Sequence, residues 1–164
     1  MTHTGIIKNT ITGTVDGTKG EFRKASAMSE ALGYNAEFTK IHSLVNTFCS
    51  EINRQILSNS SIIECLTTSF DAHANLVLIH PWMEGNKSTS RLIMNFIQRR
   101  ADLPLTKVHK EDSREYLLAL KALKDNKNIE VFRRFMCNQY IKTLNNEISD
   151  YVQSKKKKDF HLVF

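Results

Sequence analysis

The chain has 164 residues, 41% hydrophobic and 24% charged, which excludes a wholly disordered polypeptide and is enough for one buried core. Six glycines and two prolines argue against an all-β fold with many tight turns. The net charge is +6, but Lys155, Lys156, Lys157 and Lys158 hold four of those charges in one run, and no basic stripe interleaved with aromatics runs through the rest, so nucleic acid is not an expected partner. No apolar run approaches the roughly 20 residues of a membrane span, and no signal-like segment opens the chain. Cys49, Cys65 and Cys137 form no C-x-x-C pair. A cytoplasmic protein without disulfides or membrane contact is expected.

Glycines crowd the front of the chain, and only Gly85 follows Gly33. The front reads as a β-hairpin: a β-branched strand over residues 10–15, a turn at Asp16-Gly17 and a return arm over 18–24. Helical periodicity follows. Ile41, Leu44, Val45, Phe48, Ile52 and Ile56 mark one helix, broken at Ser58-Asn59-Ser60. Ser61 and Glu64 form a capping box that opens a second, with Ile62, Leu66, Phe70, His73 or Ala74, Val77 and Leu78 on its apolar face and Pro81 at its end. A third follows Asn86, with Leu92, Ile93, Phe96 and Ile97 inward, and stops near Asp102-Leu103-Pro104. A fourth covers about 111–123 and a last about 129–152, with Phe132, Phe135, Met136, Ile141, Leu144 and Ile148 inward. Cys49 and Cys65 read as inert core residues, and His73 as a hydrogen-bonded packing residue rather than a metal ligand.

The informative stretch is His80-Pro81-Trp82-Met83-Glu84-Gly85-Asn86-Lys87-Ser88-Thr89-Ser90-Arg91, a loop joining the second and third helices. His80 stands where its helix must stop, since Pro81 follows, and a neutral imidazole there can act as a general base. Glu84 is a hard oxygen ligand of the kind Mg²⁺ takes. Gly85 lets the backbone approach a ligand closely, and the amides opening the next helix make an anion site. Arg91, one turn on, can fork onto a phosphate. A base, a metal ligand, an anion cradle and an arginine describe transfer from a nucleotide. The same residues also suit a plain cap-and-linker between helices, and spacing alone leaves the two readings level.

This stretch resembles the signature of the Fic family, H-P-F-x-[DE]-G-N-G-R-x-x-R, and Glu115-Tyr116-Leu117-Leu118-Ala119-Leu120 resembles the family's E-Y-x-x-A-L helix. The resemblance covers most of the chain. It implies a mainly α fold, a Fic-domain helical bundle with an N-terminal β-hairpin flap over the active site. The domain would span 1–153, with the flap at 1–24 and the helical core at 39–153, followed by a basic and apolar tail at 154–164. Most Fic proteins are implied to be adenylyltransferases that move AMP from ATP to a Ser, Thr or Tyr hydroxyl of a target protein. Carried over by position, His80 would deprotonate the hydroxyl and Glu84 would hold Mg²⁺ on the phosphates. Gly85, Asn86, Lys87 and Ser88 would line the anion hole, Arg91 would hold the terminal phosphate, and Tyr116 would meet the nucleoside. Thr10, Ile11, Thr12 and Gly13 would belong to the flap that pairs with the target's backbone.

Two positions depart from the family pattern: Lys87 stands for its second glycine and Ser88 for its first arginine. A lysine adds charge but takes room, and serine cannot replace an arginine's planar fork. The related Doc toxins also carry Asn-Lys here and resemble phosphotransferases. Three readings therefore stand in order: adenylyl transfer, Doc-like phosphoryl transfer, and a nucleotide-binding or interaction module without turnover. Thr143 and Glu147 have the spacing of the family's inhibitory helix, so Glu147 is a candidate restraint on Arg91, a separate antitoxin partner being the alternative. Self-association is a further expectation.

Overall fold

The computed structural model describes residues 6–9, 13–16, 20–29 and 32–161. Over these the chain is mainly helical, as the periodicity predicts. The helices are α1 (Ile41–Ser58), α2 (Ile62–Ile79), α3 (Asn86–Arg100), α4 (Ser113–Asn126) and α5 (Ile129–His161), with a 3-10 turn at Lys110–Asp112 leading into α4. Two short antiparallel pairs precede them: β1 (Ile6–Asn9) with β2 (Gly13–Asp16), and β3 (Met28–Ser29) with β4 (Gly33–Tyr34).

The capping box forms as expected. The Glu64 amide donates to Ser61 Oγ at 3.2 Å and the Ser61 amide donates to Glu64 Oε2 at 3.1 Å. From that start α2 runs through the middle of the bundle, against α1, α3 and α5. By length and composition it is apolar enough to cross a membrane; here Phe70, Ala72, Ala74, Leu76 and Val77 are buried within the protein while Ile62 and Ile63 are exposed. Phe70, Ala74 and Val77 pack with Met94 of α3, Tyr116 and Leu120 of α4, and Phe132 and Met136 of α5. Full burial of each large side chain contributes about 1.5–3 kcal/mol. A smaller cluster of Ile52, Ala72 and Ile97 joins α1 to α2 and α3.

The structure corrects several expectations. The strand at Gly13–Asp16 pairs backwards with Ile6–Asn9, in register Ile7 to Val15, while the expected turn at Gly17 lies outside the described residues. The β-branched pair Ile6-Ile7 supplies the partner strand, whereas residues 20–24 of the expected return arm are not strand and Gly20 takes a positive φ of 68°. Thr10, Ile11 and Thr12 lie outside the described residues. The last helix continues past Val152 to His161, with no glycine or proline to interrupt it. The run Lys155 to Lys158 lies within this helix. The apolar stripes are narrower than expected, leaving Ile62, Leu92, Phe96, Ile141 and Ile148 more than half exposed. On α3 the inward positions belong to Ser90, Met94, Ile97 and Gln98. Gln98 is buried because its amide is fully engaged: Nε2 donates to Ser69 Oγ at 2.9 Å and Thr106 Oγ1 at 2.8 Å, and Oε1 accepts from the Thr106 amide at 2.8 Å. Cys49 is exposed and Cys65 half-buried, so neither is a core residue.

Candidate active site

The loop between α2 and α3 is built on two left-handed residues. His80 caps α2 at φ 52° and ψ 58°, its amide donating to the Leu76 carbonyl at 3.0 Å. Gly85 caps α3 at φ 78°, a conformation glycine adopts without the Cβ clash of other residues. Asn86 brackets the loop from inside. Its Oδ1 accepts from the Trp82 amide at 3.0 Å and its Nδ2 donates to the Trp82 carbonyl at 2.7 Å. The Asn86 side chain is thus committed to shaping the loop, and only its backbone amide is left to meet an anion. No side chain caps the start of α3, and no acidic residue stands in its first turn. These uncapped amides and the positive helix end make an anion-binding corner.

Sequence reasoning passed over a brace on this loop from residues 20–25. Arg23 is 2% exposed. Its Nε donates to the His80 carbonyl at 2.7 Å, Nη1 to the Ala25 carbonyl at 2.7 Å and Nη2 to the Ala36 carbonyl, while its own amide donates to the Pro81 carbonyl at 2.9 Å. Trp82 donates from Nε1 to the Gly20 carbonyl at 3.1 Å and lies tilted against Phe22. The only advance sign was an arginine in a turn-rich segment, and nothing in sequence joins it to His80.

The His80 ring is half-buried. Burial, then the Arg23 charge, and to a smaller degree Lys87, hold its pKa below the ordinary histidine value, while a hydrogen bond to the Val77 carbonyl opposes them. The ring is accordingly neutral at pH 7, the state a general base needs.

Beyond the start of α3 a cavity of about 260 Å³ is lined by Lys87, Arg91, Val108, Lys110, Ser113 and Tyr116. The structure thus brings together Lys87, Arg91 and Tyr116 as the sequence suggested, and adds Lys110. Ser88 is exposed on the first turn of α3. Tyr116 is almost fully buried and hydrogen-bonded to His73 Nε2 at 2.9 Å. His73 stacks on Phe132 and is, as expected, a packing residue. Glu84 is exposed at the loop's end. Among the described residues no group of three or more His, Cys, Asp or Glu side chains converges on a metal position. A lone hard carboxylate beside an anion corner fits Mg²⁺ that arrives with a polyphosphate, since that ion keeps waters and phosphate oxygens as its other ligands.

Glu147, the candidate restraint on Arg91, sits on a face of α5 turned towards Lys107. It is exposed and pairs with Lys107 at 3.5 Å. Thr143, one turn earlier, is buried, its Oγ1 hydrogen-bonded to His109 at 3.3 Å. The shared face that the spacing implies therefore points at the 107–109 segment and not at the loop.

A sequence model of the Fic/DOC family matches residues 3–98, more than half of the chain. The chain belongs to the Fic/DOC family. The protein adenylyltransferase Fic of Drosophila yakuba is 37% identical over 86 residues, covering 52% of this chain and 17% of its own length. That of Drosophila grimshawi is 41% identical over 73 residues, 44% of this chain and 15% of its own. The chain thus spans about a sixth of the length of these relatives. Among solved structures, Fic-1 (residues 134–508) of C. elegans aligns over 82% of this Fic chain and 38% of its own, at 20% identity and a TM-score of 0.69. A Fic-domain-containing signalling protein of Bacteroides thetaiotaomicron aligns over 77% and 53%, at 20% identity and a TM-score of 0.66. The BepC protein of Bartonella tribocorum, solved with bound AMPPNP, aligns over 80% and 60%, at 15% identity and a TM-score of 0.59. These likenesses establish the helical Fic fold.

Proposed function

We propose that this Fic domain transfers AMP from ATP to a hydroxyl of a target protein. The observation that carries the reading is the juxtaposition at the loop: a neutral His80 at the end of α2, and an uncapped, acid-free start of α3 opening on a cavity walled by Lys87, Arg91 and Lys110. In this reading the phosphates rest on the amides after Gly85, with Arg91 and Lys87 neutralising their charge. Glu84 would hold Mg²⁺, which when bound would offset the charge that develops on the leaving phosphates. His80 takes the proton of the target hydroxyl as its oxygen bonds to the α-phosphorus, the bond to the β-phosphate breaks, and pyrophosphate leaves. Relatives named protein adenylyltransferase and a neighbour solved with an ATP analogue support the choice of nucleotide. The groove of about 480 Å³ lined by Phe22, Lys24, Phe38, Thr39 and His42 lies on the Trp82 side of the loop, where an extended target segment would reach His80. The pairing of that segment with Thr10 to Gly13 rests on the family resemblance alone.

Lys87 in the cavity wall favours a second reading, Doc-like transfer of the γ-phosphoryl group from an ATP bound in the opposite sense. Incubation of a cell lysate with the protein, Mg²⁺ and ATP labelled at the α- or γ-phosphate separates the two. Label from the α-position on protein is expected. Label from the γ-position alone selects phosphorylation. Nucleotide binding without label from either position refutes turnover.

A further inference from the structure

His80 carries an unusual backbone burden. A non-glycine residue in the left-handed region costs about 1–2 kcal/mol, and a residue preceding proline is pushed away from helical conformations towards extended ones. His80 does both, at φ 52° and immediately before Pro81. Such a conformation persists only where its surroundings hold it.

The holding contacts come from Arg23. One of its donors reaches the carbonyl of His80 itself, and its amide reaches the carbonyl of Pro81, so the strained peptide pair is gripped on both oxygens. The other two guanidinium bonds, to the Ala25 and Ala36 carbonyls, anchor the grip in residues 25–36. Among the described residues the guanidinium meets carbonyl oxygens and no carboxylate, although it is buried. A buried charge without a counter-ion is costly. Here it is offset by three carbonyl oxygens, one of them that of His80 at the C-cap of α2, where the helix dipole is negative.

We propose that Arg23 is a positioning residue for the base: it fixes the left-handed turn at His80 and thereby aims the imidazole at the anion corner. The proposal rests on the reading of His80 as the base, and its primary test is made on the nucleotide-free protein, so the two fail separately. The positive side chains acting on the ring are Arg23, from the segment packed over the loop, and Lys87, from α3.

The test compares wild type with Arg23→Gln and Arg23→Lys by NMR. The ¹³Cα and ¹³Cβ shifts and the HN–Hα coupling of His80 report its φ, and its ring protons report its pKa. In Arg23→Gln the left-handed signature is expected to be lost and the pKa to rise towards 6.5. In Arg23→Lys, which keeps the charge but not the fork, the pKa is expected to stay low while the left-handed signature weakens. An unchanged signature in folded Arg23→Gln overturns the proposal. If that variant does not fold, an unchanged signature in Arg23→Lys overturns it instead. In the transfer assay Arg23→Lys is expected to lower kcat roughly tenfold to a hundredfold with KM for ATP changed less than twofold. Equal losses in both kcat and nucleotide binding would mean general damage rather than misaimed chemistry.

Discussion

His73 Nε2 lies 2.9 Å from the Tyr116 hydroxyl, and this buried pair ties α2 to a wall of the cationic cavity. Burial, with the Arg91 charge as a lesser cause, pushes the His73 pKa down to about 4. The folded state therefore binds the His73 proton less readily than the unfolded state does. The stability held by the neutral ring is fully present above about pH 6.5 and is lost as pH falls towards 4, on the order of 3 kcal/mol across that window. Urea unfolding at pH 7.5 and pH 4.5 should show a steeper loss for wild type than for His73→Gln. Parallel losses would show that this ring titrates normally.

The His80 prediction concerns rate instead of stability. Because burial and the neighbouring cations hold its pKa below 6.5, the acid limb of transfer should fall below pH 6.5. Lys87→Gly removes one cation and should move that limb upward. His80→Ala should abolish label transfer while leaving nucleotide affinity within about twofold, checked by equilibrium binding beside the transfer assay.

Gly85 tests the backbone of the corner. Nothing lies within 4 Å of the place a Cβ would occupy, so a side chain is opposed by its φ of 78° and not by crowding. Gly85→Ala should cost about 1–2 kcal/mol in urea unfolding. Larger loss would mean that the neighbours are closer in solution.

The two departures from the family pattern make a test of their own. Ser88→Arg combined with Lys87→Gly restores the arginine fork and the open approach of the Fic signature. The double variant should transfer AMP at least tenfold faster than wild type, read by label incorporation at equal protein concentration. No gain would show that Arg91 and Lys110 already supply what Ser88 lacks.

Arg133 and Asp71 hold α5 to α2 through two hydrogen bonds, Nε to Oδ1 at 2.9 Å and Nη2 to Oδ2 at 2.5 Å. Both side chains are largely covered. Asp71→Ala leaves the guanidinium without that partner and should destabilise the domain by about 1–3 kcal/mol. A double-mutant cycle with Arg133→Met should return most of that as coupling.

The helices were legible because their period is local: the capping box at Ser61, the stop at Pro81 and the loop at Asn126 to Asn128 each rest on neighbours in sequence. Which face points inward was less legible. Gln98 is buried and Phe96 exposed because three hydrogen bonds from different elements converge on the glutamine, and no residue next to it announces them. The hairpin was misplaced because Asp16-Gly17 is a good turn signal, whereas Ile6-Ile7 outweighed it by offering a β-branched partner on the other side. In the site, the signature from His80 to Arg91 could be read directly. Its bracket by Asn86 had a sequence reason only in hindsight, a side-chain amide four residues from the backbone it holds. The Arg23 contact spans 57 positions and the Glu147 pairing spans 40, distances at which spacing carries no information.

The brace across the loop limits how portable the catalytic corner is. Its outer contacts reach back 57 and 62 residues, to Arg23 and Gly20. A helical hairpin excised as residues 61–101 would contain every letter of the signature and both helix ends, yet not the pieces that bend its backbone into shape. Anyone grafting this motif onto a foreign scaffold would need to transplant residues 20–25 alongside it. During folding, the corner can take form only once that distant stretch has returned to the loop, a closure over nearly sixty positions.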